Sequence, residues 1–66
     1  MERNIHLNWP YFVDEVRKRR KNQGLTQEQL AILAGVSKPT LNRFEQGKTN
    51  ITLANTLKIL RALGLE

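Results

Sequence analysis

Apolar residues recur along the chain at helical spacing, in four stretches that each lead to a glycine. The glycines stand at positions 24, 35, 47 and 64. Glycine adopts the left-handed conformation that commonly ends a helix at little steric cost. The pattern therefore predicts four helices, over residues of about 10–23, 27–34, 38–46 and 53–63.

Residues suited to helix starts precede or open each predicted helix. Pro10 suits a first turn, where its missing N–H would have no partner in the helix. Thr26 and Gln29 have the spacing of a capping box, in which each side chain accepts a hydrogen bond from the other residue's backbone N–H. Ser37 and Thr52 are the expected N-caps of the third and fourth helices.

Within each predicted helix, residues three or four positions apart mark the face that is expected to turn inward. The predicted inward residues are Phe12, Val16 and Arg20 in the first helix, Leu30, Ala31, Leu33 and Ala34 in the second, Leu41 and Phe44 in the third, and Leu53, Leu57, Leu60 and Leu63 in the fourth. Trp9 and Tyr11 are expected to cover the core or a subunit contact, with base stacking as the alternative.

The first nine residues carry a weaker pattern and are expected to form an N-terminal arm, ahead of one domain over residues 10–66. Ile5 and Leu7 alternate with polar residues, which fits a short strand, an ordered arm or a disordered tail. A chain of 66 residues builds only a small core, which leaves little room for an enclosed active site.

The second and third predicted helices are short and are joined by three residues that begin with Gly35. Such a tight join needs a residue that accepts positive φ, which Gly35 supplies, and a small residue where the helices cross, which Ala31 supplies. Residues 27–46 therefore have the pattern of a helix-turn-helix, whose second helix lies in the major groove of DNA. The expected recognition helix is 37–46.

One segment of the chain carries a family pattern, LTQEQLAILAGVSKPTLNRFEQGKTN, whose most specific parts are residues 24–31, 35–37 and 44–47. Over residues 12–65 the chain resembles the lambda-repressor/Cro-type helix-turn-helix family, also called the XRE family. The resemblance implies an all-α, compact lambda-repressor-like domain of four to five helices. It also implies a transcriptional regulator whose partner is double-stranded DNA.

The resemblance implies a base-reading face on the third helix, formed by Lys38, Pro39, Asn42 and Arg43. Well-studied family members often carry glutamines where this chain has Lys38 and Pro39, and Pro39 can offer only apolar contact, for example to a thymine methyl. Arg43 and Lys38 can donate to guanine, and Asn42 can pair with adenine. A solvated polar helix face is the alternative interpretation. With three polar readers, we expect a short and tolerant half-site.

A second set of residues is expected to hold the DNA phosphates: Gln27, Ser37, Thr40, Lys48 and Asn50. Gln27 matches the family glutamine that bonds a phosphate and braces the recognition helix. Lys48 and Asn50 lie in the loop after that helix, where phosphate contacts are common. An ordinary polar loop is the alternative there.

The charge of the chain favours a polyanionic partner, because 11 Lys+Arg against 6 Asp+Glu give a formal net charge of +5. The densest run of charge is 17–21, where a solvated face is expected for Lys18 and Arg19. The resemblance instead assigns Arg20 and Glu45 to a partly buried ion pair between the first and third helices. Non-specific RNA or membrane binding by this run is a further alternative, although no aromatic anchors interleave with its charges.

Residues suited to catalysis or metal binding are sparse. The chain has no cysteine and a single histidine, His6, and no nucleophile lies beside a base in a recognisable motif. We therefore expect no enzyme activity, no metal and no cofactor. No stretch is long and apolar enough for a membrane span or a signal peptide, so we expect a cytoplasmic, nucleoid-associated protein.

The segment from Asn50 to Leu65 is similar to HipB-type antitoxins, which form dimers, bind their own operator and hold a kinase toxin. In those proteins the chain continues into a strand that pairs across the dimer. This sequence ends at Glu66, so we expect that strand to be missing or shortened. The leading prediction is a repressor that binds a palindromic operator as a homodimer. The alternative is an antitoxin with a HipA-like kinase partner that also regulates its own operon.

Overall fold

The computed structural model describes residues 8–65, and within them the chain forms four α-helices and no strand. The helices are α1 (Trp9–Asn22), α2 (Gln27–Ala34), α3 (Lys38–Glu45) and α4 (Leu53–Ala62). The predicted all-α, lambda-repressor-like fold class is thereby confirmed. The predictions made for Ile5, His6 and Leu7 lie outside the described residues.

Side-chain caps start the helices because the first backbone N–H groups have no partner within the helix. The Thr26 hydroxyl accepts from the Gln29 N–H at 3.1 Å, and the Gln29 side chain accepts from the Thr26 N–H at 2.9 Å, so the predicted capping box is present. The side chains of Ser37 and Thr52 cap α3 and α4 as predicted.

The bounds of three helices differ from the prediction by one residue. α1 begins at Trp9 rather than Pro10, because the Asn8 side chain accepts from the Tyr11 N–H at 2.8 Å and caps the helix one residue earlier. The helices α1, α3 and α4 each end one residue before the predicted position. In each case the residue predicted as the last of the helix is its C-cap instead. In all three, a glycine with positive φ follows this C-cap and turns the chain away from the helix axis.

The core lies where α1 and α2 pack against α3, and where α4 packs against α2. Its largest fully buried side chains are Phe44, Leu30, Leu41, Ile59 and Val16. The aromatic ring of Trp9 packs at 5.6 Å from both Phe12 and Phe44, measured between ring centroids, so Trp9 covers the core as expected. Tyr11 does not, since 60% of its surface is exposed.

Leu33 was predicted to face inward with the other apolar residues of α2, and this prediction is wrong, since 63% of Leu33 is exposed. The buried residues of α2 are Leu30, Ala31 and Ala34. At 3.6 residues per turn, Ala31 and Ala34 lie about 100° and 40° to one side of Leu30, while Leu33 lies about 60° to the other side. The packing of α3 and α4 covers only the first side.

The apolar stripe predicted for α4 is also partly wrong, because Leu53 and Leu57 are 73% and 39% exposed. The buried residues of α4 are instead Thr56 and Ile59, and Leu63 is buried just beyond the helix end. Thr56 can turn inward because its hydroxyl donates to the Thr52 carbonyl at 2.9 Å, which satisfies its polar group.

The turn between α2 and α3 depends on Gly35, whose φ of 74° is in the left-handed region. The N–H groups of Gly35 and Val36 both donate to the Ala31 carbonyl, at 2.9 and 3.1 Å. This turn presents α3 to solvent along one face while the other packs on the core. No helix among residues 8–65 has the length and apolar character needed to cross a bilayer.

Candidate nucleic-acid interface

The start of α2 and the outer face of α3 form an open groove of about 410 Å³. Its lining residues are Gln27, Lys38, Pro39 and Asn42. Three of these are exposed residues of α3, and Gln27, the first residue of α2, is half-buried. The structure thus brings a predicted phosphate contact beside three of the four predicted base contacts.

A smaller recess of about 80 Å³ lies between α3 and the start of α4. Its lining residues are Thr40, Arg43, Phe44, Asn50, Ile51, Thr52 and Asn55. Three predicted DNA contacts therefore meet here, one from the base-reading set and two from the phosphate set. The half-buried Asn55 was not predicted, although its position three residues after the Thr52 cap could have placed it at the same helix end.

Ser37 and Lys48 line neither depression. The Ser37 hydroxyl accepts from the Thr40 N–H at 3.2 Å and donates to the Thr40 hydroxyl oxygen at 2.6 Å. The proton of Ser37 is therefore engaged at the helix cap. The hydroxyl of Thr40 keeps its own proton for an outside acceptor, so Thr40 is the better placed donor of the two.

A buried network of hydrogen bonds connects α1 and α2 to the end of α3. The Arg20 guanidinium donates to the Glu45 carboxylate through Nε at 2.7 Å and Nη2 at 2.9 Å. Its Nη1 also donates to the Leu25 carbonyl at 2.8 Å. The side-chain amide of Gln27 donates to Oε1 of Glu45 at 2.9 Å. This bond uses one amide hydrogen of Gln27, which also lines the groove, and its amide oxygen and second amide hydrogen have no other partner among residues 8–65.

The loop after α3 leaves the helix through Gly47, whose φ is 88°. The N–H groups of Gly47 and Lys48 donate to the carbonyls of Phe44 and Arg43, at 2.9 and 3.1 Å, in the arrangement of a Schellman motif. The side chains of Lys48 and Asn50 are exposed on this loop. The indole N–H of Trp9 also holds this loop, because it donates to the Gly47 carbonyl at 3.1 Å. Trp9 and Gly47 are 38 residues apart in the sequence, and no sequence pattern predicted their contact.

Two exposed or half-exposed cations of α1 share a carboxylate partner, whereas three cations of α3 and the loop after it have none among residues 8–65. On α1, Asp14 pairs with Arg17 and Lys18 at 3.2 and 3.3 Å. The hydrogen bond from Lys18 lowers the pKa of Asp14 below its ordinary value, and the same bond raises the pKa of Lys18. Within residues 8–65, Lys38, Arg43 and Lys48 have no carboxylate partner. Their charge is therefore free to meet an anionic ligand.

Comparison with known proteins agrees with this geometry. A family model of helix-turn-helix domains matches residues 16–66. A protein of Haemophilus influenzae named as an uncharacterized HTH-type transcriptional regulator is 40% identical over 52 residues, which are 79% of this chain and 53% of that protein. A protein of Methanothermobacter thermautotrophicus with the same name is 43% identical over 51 residues, which are 77% of this chain and 74% of that protein.

The chain spans about half the length of the first of these relatives. The family model, by contrast, matches most of this chain, including α2, the turn at Gly35, α3 and α4. The predicted resemblance is thereby confirmed, and the chain belongs to the XRE-type helix-turn-helix family.

Proposed function

We propose that this protein is a sequence-specific DNA-binding transcriptional regulator that places α3 in the major groove. The observation that carries the proposal is the open groove in which Gln27 meets Lys38, Pro39 and Asn42 on the outer face of α3. The names of the two relatives, both HTH-type transcriptional regulators, support the same function.

The two faces of α3 have separate roles in this proposal. Lys38, Pro39, Asn42 and Arg43 are all exposed, whereas the buried residues of the helix are Leu41, Phe44 and Glu45. A major groove about 12 Å wide admits an α-helix, so the exposed face can reach base edges while the buried face stays on the core. Arg43 and Lys38 then donate to guanine, Asn42 pairs with adenine and Pro39 contacts a thymine methyl.

Phosphate contacts flank the reading helix on both sides. Gln27 lines the groove between α2 and α3, and Thr40 and Asn50 line the recess between α3 and α4. Lys48 follows on the exposed loop, and Ser37 supports Thr40 at the helix cap. Such contacts fix the register of a protein on DNA without reading its sequence.

Selection of bound sequences from random duplex DNA tests the proposal, followed by binding measurements on the selected site. Arg43→Ala and Lys38→Ala each remove an exposed cation of the reading face, and we expect each to weaken specific binding by about 1–3 kcal/mol. Arg19→Ala is the matched control, because it removes an exposed cation of α1. Parent-like binding by both α3 variants would show that the reading face is assigned wrongly.

We further propose that two copies bind a palindromic operator as a homodimer and repress transcription. A two-fold dimer places its recognition helices about 34 Å apart, one turn of DNA. The selected sequences then contain two inverted half-sites at one fixed spacing, and light scattering of the complex gives the mass of one duplex plus two chains. Single half-sites bound by single chains would contradict the dimer and leave DNA recognition by α3 intact.

A HipB-like antitoxin is the second candidate, and exposed apolar side chains favour a protein partner of this kind. Ile32 is 74% exposed, and Leu33 and Leu53 are similarly open. A protein surface that covers them would bury apolar area that the isolated chain leaves in water. Co-purification with a HipA-like kinase encoded beside it supports this candidate. Purification from its native host without any partner counts against it.

A further inference from the structure

Trp9 connects the first turn of α1 to the loop that follows the recognition helix. Its indole N–H donates to the Gly47 carbonyl at 3.1 Å and to the Lys48 carbonyl at 3.2 Å. Its ring packs against Phe12 and meets Phe44 edge-on, at 5.6 Å between centroids in both cases. Two successive loop carbonyls therefore converge on one donor, and aromatic packing holds that donor in place.

The direction of these carbonyls decides where the next backbone N–H points. In a trans peptide the C=O and the N–H point in opposite directions. The Lys48 carbonyl faces the indole, so the N–H of Thr49 points away from Trp9, on an exposed stretch of loop. Within residues 8–65 this N–H has no hydrogen-bond partner. Thr49 directly follows the exposed Lys48 in the chain, and a free backbone N–H and a lysine together suit a phosphate oxygen.

Few hydrogen bonds hold this stretch of main chain among residues 8–65. The N–H groups of Gly47 and Lys48 are bonded back to α3. The main chain of residues 49–51 makes no hydrogen bond to another described residue. The bond from Trp9 to the Lys48 carbonyl is therefore the last hydrogen bond to this main chain before the cap of α4, and beyond it Ile51 packs against the core.

We propose that Trp9 is a positioning residue for DNA binding, which orients the Lys48–Asn50 segment toward the phosphate backbone through the carbonyls of Gly47 and Lys48. This inference rests on the proposed function and adds a residue of α1 that does not itself touch DNA. Removal of the indole N–H frees the two carbonyls and loosens the loop. The phosphate contacts then weaken while the reading face of α3 is unchanged.

Trp9→Phe is the first test, because phenylalanine keeps an aromatic ring and lacks the N–H. We expect it to weaken binding to the selected duplex by about 3- to 10-fold, the effect of one lost hydrogen bond. Combined with Lys48→Ala, it should show coupling, because the lysine contributes less once its loop is loose. Effects that simply multiply would overturn the proposal, since a general loss of stability gives no such coupling.

Tyr11→Phe is the matched control, because Tyr11 is an exposed aromatic residue of the same helix turn. It should bind DNA as the parent does. If Trp9→Phe lowers the folded fraction, chemical synthesis can place benzothienylalanine at position 9, which keeps the bicyclic shape and replaces the N–H with sulfur. Parent-like affinity of that folded variant overturns the proposal.

A measurement without DNA separates this inference from the proposed function. Backbone ¹⁵N relaxation should show lower order parameters at Thr49 and Asn50 in Trp9→Phe than in Tyr11→Phe. Unchanged order parameters overturn the positioning role, whatever the chain binds. Failure of the parent to bind any duplex refutes the proposed function instead, and the relaxation result then decides the role of Trp9 in the loop.

Discussion

The Glu45 carboxylate receives two hydrogen bonds from the Arg20 guanidinium, at 2.7 and 2.9 Å, across a sequence separation of 25 residues. Both side chains are almost fully removed from water, with 11% and 3% of their surfaces exposed. The pair joins the last turn of α1 to the last residue of α3. It therefore ties the recognition helix to the rest of the domain.

Removal of one partner from this pair should be severe. Arg20→Met leaves the Glu45 carboxylate buried without a cation, which we expect to cost about 3–5 kcal/mol of unfolding free energy. That loss is a large part of the stability of a small domain, so the urea midpoint of the variant should fall steeply. Urea denaturation followed by circular dichroism gives the difference.

The double variant Arg20→Met/Glu45→Leu is the control, because it removes both charges and fills the same space. We expect its stability to lie within about 1 kcal/mol of the parent or above it. If the double variant is as unstable as Arg20→Met, then loss of packing, and not an unpaired charge, explains the single variant.

Gln27 and Lys48 should affect DNA binding in different ways. Gln27→Ala removes a neutral hydrogen-bonding group, so we expect weaker binding with an unchanged dependence on salt. Lys48→Ala removes a charge, so we expect the slope of log K against log salt concentration to fall in magnitude by about 0.9. Fluorescence anisotropy at several salt concentrations distinguishes the two. An unchanged slope for Lys48→Ala would mean that Lys48 contacts no phosphate.

Two leucines of α2 offer a matched test of the packing. Leu30 is fully buried, and we expect Leu30→Ala to cost about 2–5 kcal/mol. Leu33 is 63% exposed, so Leu33→Ala should change stability by less than about 0.5 kcal/mol. Thermal and urea unfolding of both variants measure the difference. Similar losses from the two changes would show that Leu33 is covered in solution.

Gly35 should resist replacement by alanine for conformational reasons alone. A Cβ at this position would have no neighbour within 4 Å, so there is no steric clash to relieve. The φ of 74° remains unfavourable for alanine, and we expect Gly35→Ala to cost about 1–2 kcal/mol. Gly35→Asn should cost less, since asparagine visits this region more readily. The midpoint of urea unfolding, at constant m-value, measures both.

Much of the helical structure could be predicted because its signals are local. Thr26 and Gln29 form their capping box within one turn of chain, and Gly35 needs only its own backbone to make the bend. The errors in the helix bounds did not exceed one residue. For example, α1 begins one residue before Pro10 because Asn8 caps it. The helix-turn-helix pattern rests on these local preferences, and the family comparison agrees with it.

The inward faces of α2 and α4 were harder to predict. Apolar spacing selected Leu33 and Leu53, and both are exposed, whereas the hydroxyl-bearing Thr56 is buried. A helix with apolar residues on more than one side has several rotations that bury a similar area. Packing against a neighbouring helix decides which rotation is adopted, and the sequence of one helix does not identify that neighbour.

The sequence alone determined, to within one residue, where the helices of this protein begin and end. It also determined where the chain turns and which residues on α3 carry charge, because each depends on neighbours a few residues apart. The tertiary structure decided which residues meet across long separations. Gln27 meets Glu45, and Trp9 meets Gly47, only because helix packing brings them to hydrogen-bond distance. Hydrogen bonds act over about 3 Å, and only the complete packing arrangement sets distances on that scale.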